Sequence, residues 1–188
     1  MPVTFTEDDL KFHFTTALHH EKFDTRTTHF LSHCMKAVDF IVELPKRILF
    51  LEIKDPQHPS ARSVERDKFV EDLLHGTLIK ETLRPKCCDT LLYKLATEDI
   101  DVHKPLYYYV LIALDTLKEP ELMALRDKLK SRLPIVQRGS RVERKFTTAG
   151  KPAHFIQACG IFNIATWNRV IGRELQASVS RISDEVPL

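Results

Sequence analysis

Val38-Asp39-Phe40-Ile41-Val42-Glu43-Leu44-Pro45-Lys46-Arg47-Ile48-Leu49-Phe50-Leu51-Glu52-Ile53-Lys54-Asp55 is the stretch on which the fold turns. Two β-rich apolar runs flank Pro45-Lys46, and both end in charge. Folded as a hairpin about that dipeptide, Leu44 faces Arg47, Val42 faces Leu49, Phe40 faces Leu51, and Asp39 falls opposite Glu52. Opposed residues of an antiparallel pair project from one face, about 4.5–5.5 Å apart at Cβ. Lys54, two positions past Glu52, shares that face. Two carboxylates and an ammonium therefore meet at one end of an apolar ribbon. Like charges directly opposite destabilise a sheet, so the two acids require a cation. The pattern predicts a metal site.

Outward from the hairpin, the chain alternates between helical and extended patterns. Thr6 followed by Glu7-Asp8-Asp9 reads as an N-cap with an acidic first turn. It predicts a helix to about Glu21, with Leu10, Phe14, Ala17 and Leu18 as its apolar face. A short first strand fits between Lys22 and Cys34, and the hairpin strands run over about 36–44 and 47–54. Pro56 and Pro59 make Asp55 to Ser60 a loop. A second helix is predicted from Ser60 or Ser63 to about Lys80, ended by Arg84-Pro85, with another helix around Cys88–Ala96. Leu106 to Asp115 is apolar almost throughout, as in a strand covered on both faces. Glu119 to Leu133 follows as an amphipathic helix stopped by Pro134, then a strand over Phe155–Ile164 and a closing helix over Thr166–Ile182. This order predicts an α/β sandwich around a central mixed sheet. All 188 residues form one domain in this reading, with a core over about 5–115 and a C-terminal elaboration over about 116–188.

Composition narrows the classes of function. With 43% hydrophobic and 29% charged residues, the chain has the make-up of a soluble globular protein. A net charge of +2 is too small to mark a nucleic-acid binder by itself, so any basic surface must be local. No apolar run approaches the roughly 20 residues of a membrane span, so no membrane partner is expected. The acidic N-terminus lacks a signal-peptide core, which predicts a cytoplasmic location. Cys34, Cys87, Cys88 and Cys159 have no CxxC spacing and read as reduced small residues rather than zinc ligands. Only five glycines are present, without GxGxxG or GxxxxGK[ST], which argues against a glycine-rich phosphate loop.

Asp39, a turn, then Glu52-Ile53-Lys54 at the end of an apolar strand resembles the PD-(D/E)XK nuclease superfamily, which has the restriction-endonuclease-like fold. The resemblance extends to about Asp115 and rests on the conjunction of motif, preceding helix and following buried strand, because ExK alone is common. Ala37-Val38 stands where that family often has proline before the aspartate. The resemblance implies an α-β-β-β-α-β core. It also implies a Mg2+-dependent (or Mn2+-dependent) endonuclease acting on DNA ahead of RNA. Asp39, Glu52 and the backbone carbonyl of Ile53 would hold the metal, and Lys54 would assist the attacking water. Many such nucleases add a glutamate from the first helix; Glu7 fits that role first and Glu21 second. Dimers are common in such folds, and a homodimer is compatible with the resemblance although no feature of the sequence specifies one. The alternative is a nucleic-acid-binding or assembly module on the same fold without turnover.

The most basic stretch, Gln137 to Lys151, carries Arg138, Arg141, Arg144 and Lys145 against Glu143 alone. Its Gly and Ser residues suggest a surface loop that could track phosphates. Tyr107-Tyr108-Tyr109 leads into Val-Leu-Ile and reads as core rather than as a base-stacking platform. Trp167 likewise reads as packing.

Overall fold

A computed structural model describes residues 2–29, 33–135 and 156–185. Its centre is the predicted hairpin. Strand β4 (Phe40–Leu44) pairs antiparallel with β5 (Arg47–Lys54), with Leu44 opposite Arg47, Val42 opposite Leu49 and Phe40 opposite Leu51, as counted from the sequence. On one side β4 pairs antiparallel with β3 (His19–Lys22), which a one-turn helix, α1 (Arg26–His29), follows. On the other, β5 pairs parallel with β6 (Leu106–Ile112), which pairs parallel with β7 (Ile156–Phe162). The result is a five-stranded mixed sheet in the order β3-β4-β5-β6-β7.

The central strands of this sheet must satisfy two cores, which explains the near-continuous apolar runs of β5 and β6. On one face Ile48, Phe50, Val110 and Ile112 pack under helices α2 (Ser63–His75), α3 (Arg84–Ala96) and α4 (Glu119–Lys130). On the other, Phe40, Val42, Leu49, Leu51 and Leu111 meet a second sheet and a short helical segment. That sheet is antiparallel, ordered β1 (Val3–Glu7), β2 (Leu10–Phe14), β8 (Ala177–Arg181). Tyr108 and Trp167 are fully buried, one in each core, and the Tyr108 hydroxyl donates to the Leu83 carbonyl at 3.0 Å. Both aromatic motifs are packing residues. No helix among the described residues is long and apolar enough to cross a membrane.

Three expectations are corrected. The predicted first helix over Thr6–Glu21 is instead the β1–β2 hairpin followed by β3, so the expected α-β-β-β-α-β order lacks its leading helix. Phe12 decides the matter: Leu10, Phe12 and Phe14 repeat every second residue and are all fully buried, whereas Leu18, essential to the helical face, is 58% exposed. Asp8-Asp9 is the hairpin turn, and Asp8 adopts φ 51, a left-handed conformation that aspartate tolerates.

The helix predicted over Thr166–Ile182 is also split. Short helices α5 (Ile164–Thr166) and α6 (Gly172–Leu175) flank a π-helical turn at Trp167–Ile171, and Gln176 at φ 51 ends them. The chain then enters β8, where Ala177 and Val179 point into the core and alternate with serines.

Arg84-Pro85 does not end the second helix. Gly76 does, at φ 82, where a side chain would be strained. A π-helical turn at Ile79–Leu83 then runs directly into α3, so Pro85 lies within a continuous helical stretch, and the Glu81 carbonyl four residues before it accepts from Lys36 Nζ instead.

Candidate functional site

The polar end of the hairpin is assembled from four elements. Just before β4, Asp39 is fixed through its backbone, since its carbonyl accepts the Phe23 N–H at 2.9 Å. The segment leading to it is pinned by α3, with Val38 N–H donating to Thr90 Oγ1 at 3.0 Å and Lys36 N–H to Asp89 at 2.9 Å. Asp39 Oδ2 then accepts the Ile53 N–H at 2.6 Å, which locks the carboxylate onto the end of β5. A buried hydrogen bond to a charged group is worth about 1.5–3 kcal/mol.

Glu52 lies on the helical face of β5, in alternation with Ile48 and Phe50, and its side chain is 0% exposed. Lys54 reaches back to it, Nζ to Oε1, at 2.7 Å. The structure therefore brings Asp39, Glu52 and Lys54 together at one strand end.

A second ammonium, which the sequence reading missed, occupies the middle of the cluster. Lys86, in the first turn of α3, stands 2.9 Å from Asp39 Oδ1, 3.0 Å from Glu52 Oε1 and 3.1 Å from Asp24 Oδ2. Its position follows from the helical stretch that runs unbroken through Arg84-Pro85, where the sequence predicts a helix end. No local signal points Lys86 at the hairpin, because Pro85 stands inside a continuous helical stretch and by itself reads as a break. Asp24, just beyond β3, was missed as well, because nothing local in the sequence points it at a residue on α3.

The electrostatics follow from burial. Loss of water raises the Glu52 carboxyl to about 7, helped by the neighbouring Asp39 charge and opposed by Lys54 and Lys86. Burial works against the Lys86 charge, but Glu52 and Asp39 outweigh it and hold the ammonium above the usual lysine range. Neither Glu52 oxygen has a hydrogen-bond partner: Oε1 is shared by two ammoniums at ion-pair distance, and Oε2 is an orphaned acceptor. A buried acceptor without a partner is costly to keep.

The remaining predicted residues fall elsewhere. Glu7 ends β1 rather than opening a helix, and its carboxylate pairs with Lys22 at 2.6 Å. Glu21 sits on β3 and pairs at 2.8 Å with Lys94, which also meets Asp99 at 2.5 Å. Arg138, Arg141, Arg144 and Lys145 lie outside the described residues. Among those described, no group of three or more His, Cys, Asp or Glu side chains is arranged to hold a metal. The two carboxylates alone still suit a hard cation, since Mg2+ is commonly held by one or two carboxylates and completes its shell with water. The orphaned Glu52 Oε2 is the acceptor that such an ion would satisfy.

Compared with known proteins, the chain matches no protein-family model, no curated protein and no solved structure. Its chemistry has to be read from its own residues.

Proposed function

We propose that the protein is a metal-dependent nuclease that hydrolyses phosphodiester bonds, in DNA ahead of RNA, on a restriction-endonuclease-like core. One observation carries the reading: a wholly buried glutamate with an orphaned oxygen is held beside a second carboxylate and a lysine at a strand end. The run from β3 through β6 supports it, being three antiparallel strands, a helical crossover and a parallel strand, the β-β-β-α-β part of the expected core.

In this reading Asp39, Glu52 and the Ile53 carbonyl hold Mg2+ or Mn2+. A bound metal supplies an acidified water and polarises the phosphoryl oxygen. Lys54, one quarter exposed at the edge of the cluster, would assist the attacking water and offset charge developing on the phosphate. The Asp39 bond to Ile53 N–H holds the carboxylate and the neighbouring carbonyl in fixed relation.

Lys86 favours a second reading, a binding or assembly module without turnover, because its ammonium and that of Lys54 together already offset the two carboxylates. Plasmid, single-stranded DNA and RNA incubated with Mg2+ or Mn2+ separate the two. Cutting that is lost in both Asp39→Ala and Lys54→Ala is expected of the nuclease. Cutting that survives both substitutions removes the site assignment, and no cutting of any substrate favours the module.

A further inference from the structure

Three carboxylates converge on one ammonium at nearly equal range. Lys86 Nζ is 2.9 Å from Asp39, 3.0 Å from Glu52 and 3.1 Å from Asp24. An ammonium has three protons to donate and a flexible four-carbon stem. The partners are not alike. Asp39 and Glu52 are buried at 9% and 0% side-chain exposure, whereas Asp24 is 47% exposed at the rim. Lys86 can therefore turn outward on its stem and keep one partner while leaving the other two.

We propose that Lys86 is a displaceable internal counter-ion for the Asp39–Glu52 pair, and that a divalent metal binds there by driving its ammonium outward onto Asp24. The inference rests on the metal-dependent reading above and makes the exchange of one cation for another its first step.

The geometry requires the exchange for any ion that bridges Asp39 Oδ1 and Glu52 Oε1, the two atoms Lys86 holds. Mg2+ takes its oxygens at about 2.0–2.1 Å, so it cannot share the space between two carboxylates with an ammonium already 2.9 and 3.0 Å from them. Charge makes it feasible. With Glu52 ionised, Asp24, Asp39 and Glu52 face Lys54 and Lys86, which leaves one negative charge in the cluster. Entry of a divalent ion with Lys86 kept on Asp24 turns this to one positive charge, suited to an anionic phosphate. Expulsion of Lys86 into solvent would forfeit that charge, which is the use of having Asp24 at the rim. Lys54 touches Glu52 alone, by the same Oε1 atom, and need not move. It is the internal control, an ammonium of equal charge that pairs with Glu52 at 2.7 Å but not with Asp39.

The test uses the whole wild-type chain and reads position rather than activity. Reductive methylation of lysines, followed by peptide mass spectrometry, is run with and without saturating Mg2+, and Mn2+ binding is followed in parallel by electron paramagnetic resonance. Lys86 is expected to label several-fold faster with metal while Lys54 does not. Lys86→Met is expected to bind Mn2+ about tenfold tighter than wild type, with a smaller gain for Lys54→Met, because only Lys86 competes for the ion's place. Metal binding to wild type with no change in Lys86 labelling overturns the inference and leaves the nuclease reading standing. Binding to Lys86→Met alone also overturns it, by making Lys86 a permanent counter-ion. No binding to wild type or to Lys86→Met removes the metal-dependent reading and the inference together. The labelling result does not depend on any variant folding.

Discussion

Glu52 and Asp55 stand three positions apart at the end of β5, both with side chains 0% exposed, and their environments are opposite. Asp55 is fully served. Arg181 of β8 grips it with two parallel bonds of 3.0 and 2.9 Å, and the Gln57 N–H adds a third at 3.2 Å. The guanidinium is itself satisfied by the Ala113 carbonyl at 3.2 Å and by Asp9 at 3.5 Å. Glu52 has two ammoniums crowded on one oxygen and nothing bonded to the other. A planar fork matches a carboxylate in geometry as well as in charge, whereas an ammonium acts as a point charge. The difference separates a fully satisfied ion pair from one that leaves a buried acceptor without a partner. Asp55 ties the small sheet to the end of β5, and Glu52 keeps one buried oxygen without a partner.

The comparison can be broken most forcefully at Arg181. Arg181→Met leaves Asp55 buried without its cation and is expected to cost about 3–5 kcal/mol in urea unfolding. Added Mg2+ should recover none of it. Recovery by Mg2+ would mean that the two clusters are not distinct in kind.

The next effect lies in the pH dependence of Glu52. Its carboxyl is raised from the ordinary 4.5 to about 7. Between those values the folded chain holds a proton that the unfolded chain has lost, so stability falls as pH rises through the window. The contribution is absent below 4.5 and complete above 7, at about 3 kcal/mol. Unfolding free energies at pH 4.5 and 8 should differ by less in Glu52→Gln than in wild type, by roughly that amount. An unchanged slope would place the titration elsewhere.

The smallest effect sharpens the role of Asp39. Asparagine retains an oxygen for the Ile53 N–H, whereas alanine does not. Asp39→Ala should therefore be about 1–2 kcal/mol less stable than Asp39→Asn, although both lose the charge that faces Lys86. Equal stabilities would show that the bond to Ile53 contributes nothing to the hairpin end.

How much of this was legible in the sequence depended on distance along the chain. The β4–β5 register could be counted because a two-residue turn at Pro45-Lys46 leaves one pairing in which both apolar faces stay buried. A slip of one position would exchange every side chain between the two cores. The first strands were misread because Leu10, Phe14, Ala17 and Leu18 also fit a helical face. Only the burial of Phe12 and the exposure of Leu18 choose between the periods. β8 was missed because its alternation, Ala-Ser-Val-Ser-Arg, is short and follows a helical run without a proline or glycine between them. Its partner, β2, lies more than 160 residues away.

The sequence by itself determined the hairpin, its register and the meeting of Asp39, Glu52 and Lys54, because strand alternation and a tight turn act over a few residues. Lys86 on Asp39, Asp24 at the rim and Arg181 on Asp55 were decided by the tertiary structure. Each of those contacts joins separate elements, and their meeting depends on how α3 and β8 pack against the strands. Local chemistry brought the two acids together, and packing decided which cations face them.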